Sequence, residues 1–273
     1  MPIIEKHAPG AFCWVELSTT DQLAAKTFYS SLFGWTPDDM PMGPGDFYTI
    51  FKLDGRSSAA AYTIRPEEIA FGIPPHWNVY VAVASADEAA HRAVLLGGKA
   101  LSAAFDVFDA GRMAVLQDPT GAVFQVWQPN RNIGIEVIGE PGAFGAADLS
   151  TSDRVRARKF YEDMFGWRMN SGSGKDDSGY LHIMNGDQYI GGILPDSFRD
   201  PHSPHNWMPY FMTSSCDETA AKAKLMDAQV FMAPMNVDKT VRIAILADPQ
   251  GAVFALFEAQ KMEAQKGGGQ NSD

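Results

Sequence analysis

Gly10-Ala-Phe-Cys-Trp-Val-Glu-Leu-Ser-Thr-Thr-Asp21 returns 132 residues later as Gly142-Ala-Phe-Gly-Ala-Ala-Asp-Leu-Ser-Thr-Ser-Asp153. A period of that length means two copies of one domain rather than a single large one. The match continues outward. Phe28-Tyr29 and Phe33-Gly34-Trp35 recur as Phe160-Tyr161 and Phe165-Gly166-Trp167, so that 13 of the 26 positions from Gly10 to Trp35 are identical in the second copy. Further on, Asp118-Pro-Thr-Gly-Ala-Val-Phe124 reappears as Asp248-Pro-Gln-Gly-Ala-Val-Phe254 at an offset of 130, two residues having been lost between the copies.

Within each copy the hydrophobic pattern alternates between strand and helix periods. Phe12 to Ser18 is a short apolar run ending in Ser/Thr/Asp, and Leu23, Phe28, Leu32 and Phe33 then fall on one helical face that stops at Gly34. Phe47 to Leu53 has the aromatic and β-branched content of a strand. A second unit follows, with a strand over Val79 to Ala84 and a capping box in Ser85-Ala-Asp-Glu88, repeated as Ser215-Cys-Asp-Glu218. Gly97-Gly98 is the expected helix stop, and strands are expected over Met113 to Gln117 and Ala122 to Gln128, joined by Asp118-Pro-Thr-Gly121 as a tight turn. Each half is thus βαβββ followed by βαβββ. The expected division is a first domain over 8–128, a linker over 129–140, a second domain over 141–259 and a disordered tail over 260–273.

Composition narrows the function. With 22 Lys and Arg against 33 Asp and Glu, the formal net charge of −11 repels a phosphate backbone, so no nucleic-acid partner is expected. No apolar run is long enough to span a membrane and the N-terminus lacks a signal-peptide pattern, so a soluble, cytoplasmic protein is expected. The two cysteines, Cys13 and Cys216, stand at unrelated positions of the two copies and suggest neither a disulfide nor a thiolate metal site.

Paired βαβββ units, the Phe-Tyr…Phe-Gly-Trp helix and Asp-Pro-x-Gly before the last strand together resemble the vicinal-oxygen-chelate superfamily. The superfamily includes glyoxalase I, extradiol dioxygenases, fosfomycin-resistance enzymes and bleomycin-binding proteins, and the likeness here is to its two-domain glyoxalase-like members, often labelled hydroxylase or lyase. It covers roughly residues 8–259 and implies an α+β fold in which each half curls its two modules into a cupped mixed sheet. Metal-dependent members carry His, Glu or Gln on the first and last strands. Those positions fall here on Trp14, a small residue near Ala60, Asn78 and Gln125, and in the second half on Ala146, Gly191 or Gly192, Met208 and Ala255. Neither set assembles three good donors, so the expectation is a cleft with no metal and no cofactor.

Strand parity gives the candidate site. One face of the first half presents Trp14, Glu16, Asn78, Tyr80, Gln125 and Trp127, and the second half presents Asp148, Met208, Tyr210, Val253 and Phe257. Glu16 and Asp148 are matched carboxylates in apolar strands and are the candidate acid/base groups. Trp14, Asn78, Tyr80, Arg112, Gln125, Trp127, Tyr210 and Arg242 are the candidate ligand-binding residues. The competing structural reading pairs each carboxylate with a matched arginine, Arg112 or Arg242. His182 with His202-x-x-His205 is a weaker candidate cluster, and Cys13 points to the opposite face as a core residue. The expected partner is a small molecule bound in an aromatic cleft, by a monomer or homodimer. The alternatives are a metal-independent lyase, isomerase or hydroxylase using Glu16 or Asp148, and a metal-dependent glyoxalase or dioxygenase with an atypical site.

Overall fold

The computed structural model describes residues 4–171, 179–199, 202–237 and 240–260. The tail from 261 onward, expected to be disordered, lies outside the described residues. The first half runs β1 (Phe12–Thr19), α1 (Gln22–Phe33), β2 (Thr36–Gly43), β3 (Asp46–Leu53), β4 (Arg56–Thr63), a short α2 (Pro66–Ala70), β5 (His76–Ala82), α3 (Ala86–Leu95), β6 (Lys99–Ala100), β7 (Phe105–Val107), β8 (Gly111–Gln117) and β9 (Val123–Pro129). The second repeats it as β10 (Phe144–Ser150), α4 (Arg154–Phe165), β11 (Arg168–Asn170), β12 (Leu181–Asn185), β13 (Gln188–Ile193), β14 (Asn206–Met212), α5 (Cys216–Leu225), β15 (Gln229–Asn236), β16 (Val241–Ala247) and β17 (Val253–Ala259). The α+β class and the duplicated modules read from the sequence are the fold.

The local signals act as their chemistry requires. Asp21 and Asp153 cap α1 and α4 by accepting from Ala24 N and Arg156 N, and Gly34 and Gly166 close those helices at φ 75° and 72°. At Ser85 and Ser215 only the serine half of the expected box forms: each hydroxyl accepts from the N–H of the glutamate three residues on. The helix before Gly97-Gly98 runs to Leu95 with Leu96 as its C-cap, and Gly97 at φ 87° is the stop the sequence marks. In the Asp-Pro-x-Gly turns, Asp118 Oδ1 accepts from the N–H groups of Thr120, Gly121 and Ala122 at 2.7–3.1 Å.

Modules pair within each half. The order is β2-β3-β4-β1-β5-β9-β8-β6 in the first sheet, with β7 beside β8, and β11-β12-β13-β10-β14-β17-β16-β15 in the second. The central seam is antiparallel, Glu16 opposite Asn78 and Asp148 opposite Met208. Two parallel pairs flank it in each half, β1 with β4 and β5 with β9, β10 with β13 and β14 with β17.

The faces opposite the candidate cups pack on each other and make the two halves one core. Trp35 Nε1 donates to Gly142 O at 2.7 Å, and Trp167 Nε1 donates to Gly10 O at 2.8 Å. Tyr29 Oη accepts from Trp77 Nε1 and donates across the chain to Asp248 Oδ2 at 2.9 Å, while Tyr161 stands against Asp118 in the reciprocal place. Phe254 of β17 touches the rings of Phe28, Tyr29 and Phe33 from α1; Phe124 of β9 touches Phe160, Tyr161 and Phe165 from α4. Gly-Ala-Phe, Phe-Tyr, Phe-Gly-Trp and Asp-Pro-x-Gly are therefore the fastenings between the copies.

The segment expected as a plain linker has structure of its own. Ile135 and Val137 are buried; Ile135 N donates to Cys13 O at 2.7 Å, and Glu136 both donates to Ser57 O and accepts from Ser57 N. Gly134, at φ 102°, lets the chain pass so close to Cys13 O that a side chain there would collide with it. Cys13 is a fully buried core thiol with its pKa pushed up by desolvation, as its position on the back face implied.

Candidate functional site

In the first cup, Glu16 lies at the centre of β1 and is buried, in no ion pair among the described residues, with Arg65 acting on it only through its charge. Its Oε2 accepts from Tyr48 Oη at 2.6 Å and its Oε1 from Tyr80 Oη at 2.9 Å. Register explains the meeting: Tyr80 faces Trp14 across the central seam, and Tyr48 sits opposite Tyr62 on β4, the strand that pairs with β1. Trp14 Nε1 donates to Tyr48 Oη at 2.9 Å, so the indole orients the phenol that holds the carboxylate. Gln125, next to Tyr80 across the parallel β5–β9 pair, donates from Nε2 to Asn78 Oδ1 at 2.8 Å. Trp127, two residues further along β9, is anchored through Nε1 to Asn132 O. Desolvation raises the pKa of Glu16, and the two phenols oppose that rise.

The second cup keeps the carboxylate and changes the walls. Asp148 is buried, accepts from Tyr180 Oη at 2.7 Å and is also bonded by Tyr210 and by the Gly192 N–H. Desolvation pushes its pKa up to about 6 against those bonds. Tyr180 shares a second hydrogen bond with Tyr189 Oη at 2.8 Å, and His182 packs edge-on against the Tyr180 ring. Ala146, Met208, Ala255 and Phe257 stand where the first half has Trp14, Asn78, Gln125 and Trp127.

Gly192 is required by this geometry. A Cβ there would overlap the phenol end of Tyr180, which lies over the glycine on its way to Asp148. Gly192→Ala is accordingly expected to lift Tyr180 away from the carboxylate. Losing that donor removes a bond that lowers the Asp148 pKa, so the midpoint moves above 6. Carboxyl carbon NMR across pH 4–8 measures it, and an unmoved midpoint refutes the role given to Tyr180.

Glu16, Trp14, Asn78, Tyr80, Gln125 and Trp127 are brought together, and Asp148 and Tyr210 meet in the other cup. Arg112 and Arg242 join neither group, and the expected pairing with the carboxylates is wrong. Arg112 Nε donates to Asp87 Oδ2 at 2.7 Å and its Nη1 to Asp106; Arg242 Nε donates to Asp217 Oδ2 at 2.7 Å and its Nη1 to Asn236. Both reach sideways from the sheet to the first turn of α3 or α5, where an aspartate already favours the helix N-terminus. The histidines do not cluster: His205 lies 3.1 Å from Ser152 Oγ, while His182 is on β12 beside Tyr180. Tyr48 and Tyr180 were missed as site residues. They stand 132 apart, the offset of the repeat, which is the signal that would have found them. Two hollows of about 350 and 390 Å³ lie elsewhere, around Arg92 with Phe165 and around His7 with Ile190.

The residues present do not fit the divalent metal of the superfamily's metal-dependent members. Register places Ala60 opposite Glu16 and Gly192 opposite Asp148, so the ligand positions hold Trp14, Ala60, Asn78 and Gln125 in one cup and Ala146, Gly192, Met208 and Ala255 in the other. Asn78 Oδ1 and both oxygens of Glu16 are already engaged by donors. Among the described residues no three His, Cys, Asp or Glu side chains converge.

Comparison with known proteins agrees with this architecture. A family model described as a glyoxalase-like domain matches residues 14–127. "Putative glyoxylase CFP32" of Mycobacterium tuberculosis is 39% identical over 259 residues, covering 94% of this chain and 98% of that protein. "Anthracycline biosynthesis protein DnrV" of Streptomyces peucetius is 32% identical over 97% of this chain and 98% of its own. Among solved structures, the Mn(II)-bound glyoxalase from Novosphingobium aromaticivorans superposes with a TM-score of 0.66 at 16% identity, covering 92% of this chain and 82% of that one. The 2,3-dioxygenase LapB from Pseudomonas sp. KL28 gives 0.64 at 12% identity, over 95% and 96%. With two glyoxalase-like halves, the same cupped sheets and relatives matched over nearly their full length, the chain belongs to the glyoxalase-like family of the vicinal-oxygen-chelate superfamily.

Proposed function

We propose that the first cup binds a planar aromatic small molecule, held between aromatic walls and oriented by polar groups of the chain rather than by a metal. The observation that carries this is Glu16, a buried carboxylate in no ion pair among the described residues, held by Tyr48 and Tyr80 with Trp14 bonded to Tyr48. An unpaired buried carboxylate is costly to keep. Apolar aromatic walls with a few convergent polar groups are the usual make-up of a ligand site. The relatives named for anthracycline biosynthesis support a fused-ring ligand. Arg65 and Glu68, at the start of α2, are close enough for their charges to act on Glu16, and the exposed Ile69, Phe71 and Ile73 continue that segment.

Titration with 2-hydroxyanthraquinone, followed by tryptophan fluorescence, tests the reading. Saturable quenching is expected, with affinity falling about tenfold or more in Trp127→Ala, as loss of a stacking wall predicts, and unchanged in Phe257→Ala. No saturable binding, or loss only in Phe257→Ala, overturns it.

Acid–base catalysis without a metal is the second reading, and it has an observation of its own. Asp148, with a pKa of about 6, exchanges a proton close to neutrality, as a general acid or base must.

A further inference from the structure

Gln125 is buried, yet its amide is only half satisfied. Nε2 donates to Asn78 Oδ1, while Oε1 has no partner. The Asn78 side chain holds this orientation from the other side: it acts on the Tyr62 phenol to lower that group's pKa, as an N–H turned toward the oxygen does, and so offers Oδ1 to Gln125. The open acceptor is thus Gln125 Oε1, on the strand position beside Tyr80. Buried polar groups are paired in the great majority of cases, and an acceptor left alone in a wall of aromatic side chains loses a hydrogen bond it had in water. A cation is a poor occupant, because Asn78 Oδ1 and both Glu16 oxygens already accept from protein donors. What the position lacks is an O–H or N–H. The second cup has Ala255 in the corresponding place, so the feature belongs to the first cup alone.

We propose that Gln125 determines specificity in the first cup by accepting a hydrogen bond from the ligand, so that the ligands are planar aromatics with a free ring-edge hydroxyl or amino group and their O-alkylated analogues are discriminated against. This rests on the aromatic-binding reading above. A methyl ether cannot donate, and it leaves Oε1 both unpaired and crowded.

The test uses the full chain at pH 6, where a phenol keeps its proton, and compares 2-hydroxyanthraquinone with 2-methoxyanthraquinone. Wild type is expected to prefer the hydroxyl compound by about tenfold or more, the worth of one buried hydrogen bond. Gln125→Met, of similar length and without the acceptor, is expected to bind both compounds alike, and Gln125→Glu to retain the preference. EDTA is expected to change nothing. Equal binding of the two compounds by wild type, with binding itself intact, overturns the role of Gln125 and leaves the aromatic reading standing; this comparison decides the matter even if Gln125→Met does not fold. A preference that survives in folded Gln125→Met, or that EDTA abolishes, also overturns it. Failure of both compounds to bind removes the aromatic reading and this proposal with it.

Discussion

Phe254→Ala is expected to destabilise the whole chain by about 3–5 kcal/mol and to lower its thermal midpoint by roughly 10 °C, in one transition. Phe254 is fully buried on β17, yet its ring partners Phe28, Tyr29 and Phe33 belong to α1 of the other half, with Phe211 alone from its own sheet. Truncation opens a cavity against a helix that is also tied to the second half through Tyr29 and Asp248. The bonds from Trp35 to Gly142 and from Trp167 to Gly10 run in opposite senses across the seam, so neither half keeps its motifs satisfied without the other. Calorimetry with a probe in each half checks it. Two separated transitions, with the first half unaffected by Phe254→Ala, would show that the copies fold independently and that the seam contributes little.

What the sequence made legible, and what it hid, follow from the same seam. Gly10-Ala-Phe12, Phe28-Tyr29, Phe33-Gly34-Trp35 and Asp118-Pro-Thr-Gly121 are repeated because each copy must present the same fastenings to its twin, and that symmetry exposes the fold. Strand parity then placed Trp14, Glu16, Asn78, Tyr80, Gln125 and Trp127 on one face, because β1, β5 and β9 are regular and pair in the order the modules require. Parity could not supply the partner of each carboxylate. Arg112 and Arg242 are matched and plausible on paper, but their side chains extend to first-turn aspartates of α3 and α5. The true partners, Tyr48 and Tyr180, come from β3 and from the residue before β12, two strands away from the carboxylates, where register depends on hairpin geometry and on the bulges recorded in both halves. Nor could periodicity show that 129–140 is fastened to β1 and β4 through Ile135 and Glu136, since a segment paired by single backbone bonds has no period.

Asp148→Asn is expected to abolish a pH dependence of stability that wild type shows between about pH 4 and pH 6. Burial raises the carboxyl from its ordinary 3.8 to about 6, so over that interval the folded chain holds a proton that the unfolded chain has released. Stability therefore falls as pH rises through the interval and is level above it; the size of the fall is about 3 kcal/mol. The sign is opposite to that of an ion-paired aspartate, whose contribution is lost on acidification. Asparagine carries no charge at any of these pH values and can still accept from Tyr180 and Tyr210. The variant should match wild type near pH 4 and exceed it at pH 7.5, by as much as the rearranged hydrogen bonds allow. Denaturant midpoints of the two proteins measured side by side from pH 4 to pH 8 isolate this residue, because every other titrating group is common to both. Parallel curves would mean that Asp148 titrates like a solvated carboxylate. In that case Tyr180, Tyr210 and the Gly192 N–H fully offset its desolvation, and the metal-free acid–base reading would lose its specific support.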